Sequence, residues 1–187
     1  LGVNRVAFTI PIGNGLPVMW YGIIITVGMI LAYFYGLSRA KIENVQLNDI
    51  ADLALAVIIA GIICARLYYV IFYDGGSYFK GNLIDVLKNV VNIRSGGLAI
   101  YGGIIGGVSA ALIVSKVKKL KYLVVLDILS PCVLIGQIIG RWGNFINMEA
   151  FGGETELFIR MGLKNLSGLS VTFVHPTFLY ESLWNLA

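Results

Sequence analysis

The sequence predicts an all-α fold: a polytopic transmembrane helical bundle of four full spans plus the start of a fifth, in a single membrane-embedded domain over residues 1–187. Three observations carry this. Hydrophobic residues make up 58% of the chain and charged residues only 13%, whereas a soluble domain carries roughly a quarter charged residues. Four apolar runs each come close to the roughly 20 residues that cross a bilayer core. The 23 glycines would be odd in soluble helices, but small residues let membrane helices approach closely.

The elements follow in order. Leu1–Val18 holds Pro11, Gly13, Asn14, Gly15 and Pro17, a punctuated lead-in expected to lie along the interface. No charged region precedes the first apolar run, so no cleavable signal peptide is expected. Met19–Leu37 is the first span, with Trp20 and Tyr21 where an aromatic belt belongs. Ser38–Leu47 is a short polar connection. The second span, about Asp49–Tyr73, contains Arg66, placed to snorkel toward an interface or to serve a site. Asp74–Arg94 reads as a mixed-charge loop. Gly96–Ser115 is the third span, Lys116–Lys121 a basic hinge, and Tyr122–Phe145 the fourth span. Ala150–Val174 is a polar, glycine-containing segment, and Pro176 opens a fifth apolar helix, since proline suits a first helical turn. That helix reaches Ala187 after about ten residues, roughly half a crossing. The chain is therefore expected to be truncated, with C-terminal spans missing.

Charge placement gives an orientation. Ser38–Leu47 and Lys116–Lys121 carry six of the fourteen basic residues. The segments on the other side carry six more, over about four times the length. Basic density marks the cytoplasmic side, so the two short connections face inward. Lys116, Lys118, Lys119 and Lys121 then meet anionic lipid. A net charge of +4 does not point to nucleic acid, because no basic stripe with interleaved aromatics exists. Cys64 and Cys132 lie in apolar runs without ligand spacing and read as small buried residues.

The stretch Gly136–Gly153, GQIIGRWGNFINMEAFGG, concentrates the chemistry. Ionisable groups at this depth are costly and by default mark a functional site. Gln137, Arg141 and Asn144 share one helix face at spacings of four and three. A guanidinium flanked by amides suits an oxyanion. Any one of these residues alone would read as a satisfied interhelical contact; the cluster reads as a site.

GRWGNFINMEAFG, at Gly140–Gly152, resembles the signature of the prolipoprotein diacylglyceryl transferases. Trp20-Tyr21-Gly22, GGLAIYGG at Gly96–Gly103 and HPTFLYE at His175–Glu181 agree with the same family in order. The resemblance spans nearly the whole chain. It implies a multi-pass enzyme of the bacterial plasma (inner) membrane that moves the diacylglyceryl group of phosphatidylglycerol to the lipobox cysteine thiol of a prolipoprotein signal peptide. Glycerol phosphate is released, and no cofactor is implied. Its partners are thus a phospholipid, membrane lipid and a lipobox peptide, with no nucleic acid. It implies catalytic roles for Tyr21, Tyr101, Arg141, Asn144 and Glu149, and substrate-binding roles for Arg141, Asn144, Gly152, His175 and Glu181.

In that reaction Arg141 suits the lipid phosphate, since guanidinium stays charged when partly desolvated. Asn144 orients headgroup or glyceryl oxygens. Glu149 either pairs with Arg141 or accepts from glycerol hydroxyls, and Gly152 serves close backbone approach. Tyr21 matches a family tyrosine tied to activity; without the resemblance it is a belt aromatic. Tyr101 departs from the family, which more usually has histidine there. A phenol titrates near about 10 and is a poor base, so Tyr101 is expected to hydrogen-bond the lipid. His175 precedes Pro176 and sets helix entry or takes part in the site. Glu181, in an apolar run, needs a partner, and a basic residue of the polar cluster is the expected one.

The paired glycines around Tyr101 follow no strand and sit in an apolar span, so they serve helix packing or a backbone-lined lipid cavity rather than dinucleotide binding. One histidine and scattered carboxylates give no metal-ligand set. A small transporter or channel lined by Arg66, Arg141, Glu149 and Glu181 is the alternative of another class. It would predict internal repeats with matching broken helices, and none is visible.

Overall fold

The computed structural model describes residues 4–11, 15–73, 77–79, 82–92, 96–164 and 170–187. Four of its helices are long and apolar enough to cross a membrane: α1 (Trp20–Ile42), α2 (Leu47–Phe72), α4 (Ile100–Val117) and α5 (Tyr122–Asn147). A rise of 1.5 Å per residue gives lengths of roughly 27–39 Å, against a hydrocarbon core of about 30 Å. No more than 28% of any of these apolar windows is buried. Helices this apolar and this open fit a membrane setting. Two short helices complete the helical set described, α3 (Leu83–Val91) and α6 (Thr177–Leu186), with a 3₁₀ turn at Ser77–Phe79.

The chain forms two compact units. One runs Leu37–Ile128 and is built on an antiparallel pairing of α2 with α4. Gly102 and Gly106, one turn apart, face Ala60 and Cys64 so closely that an added Cβ would strike the carbonyl oxygens of Cys64 and Ala60. This is the small-residue contact that membrane helices use when no hydrophobic driving force holds them together. At one end of the pair Lys118 Nζ lies 3.1 Å from Asp49 Oδ1 and 2.5 Å from Asp52 Oδ2.

At the other end Arg66, only 3% exposed, gathers the connection between the two helices. Its Nε donates to the Val90 carbonyl at 2.9 Å, Nη1 to Gly96 and Gly97 at 2.6 and 2.9 Å, and Nη2 to Asn89 and Asn92 at 2.8 and 3.0 Å. Of the two roles expected for Arg66, snorkelling to an interface or serving a site, the structure shows neither. All five donors are consumed by backbone carbonyls, several of them the orphan acceptors at the end of α3. The Tyr78 ring covers the guanidinium at 4.9 Å.

The other unit comprises Leu1–Gly36 and Leu129–Ala187. Strands β1 (Val6–Ile10) and β2 (Leu16–Met19) form an antiparallel hairpin with Phe8 opposite Val18 and Ile10 opposite Leu16. The punctuated lead-in therefore contains a paired ribbon; its Gly13 and Asn14 lie outside the described residues. α1 runs antiparallel to α5. Gly28 faces Ile139, Cys132 Sγ donates to the Ala32 carbonyl at 3.2 Å, and Gly143 lies under the Tyr21 ring. A second hairpin pairs β3 (Met161–Lys164) with β4 (Val171–Val174), Met161 opposite Val174. Met161, Val174 and Phe178 make a small core with Phe145 beside it.

Several boundaries differ from the sequence reading. α1 continues to Ile42 and α2 starts at Leu47, so the first basic connection shortens to four residues. Arg39 and Lys41 occupy the last turn of α1, where cations complement the helix dipole. The third span starts at Ile100, because Gly96 and Gly97 take φ of 86° and 83°, values that suit glycine and break a helix. The loop expected over Asp74–Arg94 contains α3; Asp74 and Arg94 themselves lie outside the described residues.

Candidate functional site

The signature stretch takes its shape from how α5 ends. Met148 adopts φ of 52°, its N–H donates to the Phe145 carbonyl at 3.2 Å, and the Glu149 N–H donates to the Asn144 carbonyl at 3.1 Å. These two bonds are a Schellman closure. It reverses the chain sharply and brings Glu149 back over the last turn. Asn144 Nδ2 and Asn147 Nδ2 then both donate to Glu149 Oε1, at 3.1 and 3.2 Å. Ala150 follows with φ of 51°, so two non-glycine residues in left-handed conformations flank Glu149. Such strain persists where the surroundings over-determine it and often marks a site.

Helix α6 lies along α5 through a single stripe. Phe178 packs its ring against Trp142 and Phe145, with centroids 5.3 and 4.6 Å apart. One turn on, Glu181 forms an ion pair with Arg141. Ser182 Oγ donates to the Ile138 carbonyl at 2.6 Å, and Asn185 Nδ2 to Gln137 Oε1 at 3.2 Å. Residues 178, 181, 182 and 185 share one helical face. Arg141 thus pairs with Glu181 and not with Glu149, whose oxygen is taken by the two asparagines. Glu181 receives its cation from the polar cluster.

Entry into α6 is set by His175 and Gly152. The Gly152 N–H donates to the His175 carbonyl, and the His175 N–H to the Gly153 carbonyl, each at 3.0 Å. A Cβ on Gly152 would fall 2.8 Å from His175 Cβ, so only glycine fits. His175 Nδ1 lies 3.2 Å from the Tyr180 hydroxyl. Thr177 Oγ1 donates to the Ala150 carbonyl, pinning the strained turn onto the first residue of α6.

Six of the expected residues besides Arg141 belong to this same unit: Tyr21, Asn144, Glu149, Gly152, His175 and Glu181. Tyr21 stacks over Gly143 and lies within electrostatic reach of Glu149 and Arg141. Tyr101 belongs to the unit built on α2 and α4, more than half exposed, its ring 6.2 Å from that of Tyr68. Sequence reasoning missed Thr177, Ser182 and Asn185. Their signal was present, as a polar stripe at helical spacing on α6, but its meaning depended on the partner helix.

Arranged in this way, the unit presents a guanidinium held by one carboxylate beside two amides held by another. This can take a phosphate and orient neighbouring hydroxyls. The family model described as "Prolipoprotein diacylglyceryl transferase" matches residues 5–187. A relative from Finegoldia magna named phosphatidylglycerol–prolipoprotein diacylglyceryl transferase is 46% identical over 182 residues, 97% of this chain and 67% of the relative. Relatives of that name from Clostridium novyi and Clostridioides difficile are each 43% identical, over 98% of this chain and 70% and 68% of their own lengths. The chain thus spans about two thirds of the length of these relatives. A match of this extent, across both units and through the whole Arg141–Glu181 site, means that the chain belongs to the prolipoprotein diacylglyceryl transferase family.

Proposed function

We propose that the protein transfers the diacylglyceryl group of phosphatidylglycerol to the thiol of a lipobox cysteine in prolipoprotein signal peptides, at the bacterial plasma membrane. The observation that carries this reading is the Arg141–Glu181 pair beside the Asn144–Glu149–Asn147 cluster, in a chain of this family. The cysteine sulfur forms a bond to the terminal glyceryl carbon while that carbon's bond to the phosphate oxygen breaks. Glycerol phosphate leaves with the electron pair, and the thiol proton is lost as the thiolate forms.

Charge grows on the departing phosphate in this step, so a fixed cation beside it lowers the barrier. Arg141 fills that role, and Glu181 holds its fork in place before lipid arrives. Asn144 is held by Glu149 and turned toward the headgroup. Tyr101 donates a hydrogen bond to the lipid.

Transfer of labelled diacylglyceryl from phosphatidylglycerol to a lipobox peptide by the full-length protein in vesicles tests the reading. Arg141→Lys keeps the charge but loses the planar fork. It is expected to lower turnover by about two orders of magnitude, the scale of one transition-state donor, with thermal stability retained. Near-full turnover in the lysine variant would reduce Arg141 to a point charge; no transfer by the unmodified protein would end the proposal.

A further inference from the structure

Three consecutive apolar side chains, Leu157, Phe158 and Ile159, stand 58%, 98% and 50% exposed on a bend between the strained turn and β3. Single exposed apolar residues are ordinary, but a run of three with a bare phenyl ring at its tip is not. The bend is built rather than loose. The Leu157 N–H donates to Thr155 Oγ1 at 3.2 Å, and the Thr155 N–H to the Phe173 carbonyl at 2.9 Å. On the far side the Arg160 guanidinium lies over the Phe173 ring at 4.2 Å. Both ends of the bend are therefore fastened to β4.

Its level is fixed by a third contact. The Tyr180 hydroxyl reaches the Ile159 carbonyl at 3.5 Å. Tyr180 sits in the first turn of α6, between Phe178, which touches Trp142, and Glu181, which pairs with Arg141. Arg141 lies six residues before the end of α5, which at 1.5 Å per residue is about 9 Å along the helix axis. The bend therefore folds back beside the end of a membrane span instead of projecting beyond it. At that level an outward-facing phenyl ring meets headgroups and upper acyl chains, the layer that favours aromatic side chains. Trp184, one turn further along α6, is also bare, at 83% exposure.

We propose that Leu157–Phe158–Ile159 is a membrane-interface anchor, a lipid-inserted tip that holds the β3–β4 hairpin down against the bilayer surface. The occupant is lipid, because the Tyr180 contact sets the bend beside the end of α5, at the level where a span meets headgroups. The anchor is independent of the transferase chemistry.

Depth measurement by spin labelling tests it. In a chain whose Cys64 and Cys132 are replaced by alanine, Leu157→Cys, Phe158→Cys and Ile159→Cys are labelled singly with a nitroxide. Glu154→Cys, on the exposed approach to the bend, is the aqueous control. The proteins are reconstituted in vesicles of phosphatidylethanolamine and phosphatidylglycerol. At 157–159 collision with oxygen, which partitions into the bilayer, is expected to exceed collision with a water-soluble nickel chelate; at Glu154 the order reverses. Three separate positions keep the test open if one variant misfolds. Nickel access exceeding oxygen access at Phe158 would put the tip in water and overturn the anchor. An immobilised label reached by neither would show that protein covers it, with the same consequence.

Discussion

Arg66 spends every N–H of its guanidinium on backbone carbonyls, which makes it a fastener of the segment leading into α4 and leaves no donor for a lipid phosphate. Lysine in its place keeps the charge but offers three donors to five acceptors. Leaving two part-buried carbonyls unpaired costs at most about 1–3 kcal/mol for each, so Arg66→Lys is expected to lower the melting temperature measurably in detergent. A variant as stable as the parent would show that water replaces the lost donors. Tyr101 starts the same helix, a few residues beyond the glycines that Arg66 holds. Tyr101→Phe is expected to weaken transfer without adding a titration to the pH–rate profile, and Tyr101→His to be tolerated. An inert but folded histidine variant would sink the assigned role.

The helices depend on closeness at a few positions. A methyl group at Gly102 would strike the Cys64 carbonyl, whereas one at Gly103 would find its nearest neighbour 3.9 Å away. Gly102→Ala is expected to destabilise the α2–α4 pair by roughly 1–3 kcal/mol, the range for overpacking, and Gly103→Ala to be nearly silent. Equal thermal stability of the two would contradict the packing. Asp52 and then Asp49, by hydrogen bonding, hold the Lys118 ammonium above the ordinary lysine pKa. A folded pKa raised above the unfolded value adds stability below the lysine range, and this is lost as pH rises through the folded pKa. Unfolding monitored from neutral pH into the strongly alkaline range should therefore show a loss that Lys118→Met lacks. Identical pH profiles would leave the bridge without energetic weight.

Across the whole molecule, four apolar helices mark a membrane protein, and the density of basic residues in the two short connections is expected to place those connections on the cytoplasmic side. Both connections close with Schellman turns, at Asn44 and Lys119, each with φ of 55°, so their lysines and arginines sit at or next to tight corners. Lys121→Cys is expected to react with an impermeant maleimide only after cells are permeabilised, and Glu154→Cys to react in intact cells. The opposite labelling pattern would invert the proposed topology and move the Arg141 site to the other leaflet.

By itself the sequence determined the four spans and the family, and singled out the stretch proposed to carry the chemistry. Span length, apolarity and a contiguous polar motif are local properties, readable without knowing what packs where. Tertiary structure decided the partners. Glu149 turned out to serve Asn144 and Asn147 because a left-handed Met148 reverses the chain over α5, and Arg141 went to Glu181 because α6 lays one polar stripe along that helix. Arg66 gave no sign in sequence of the five carbonyls it collects, since those acceptors lie more than twenty residues away. The fold chose among partners that composition left equivalent, because hydrogen-bond and ion-pair geometry exists only once two elements have docked.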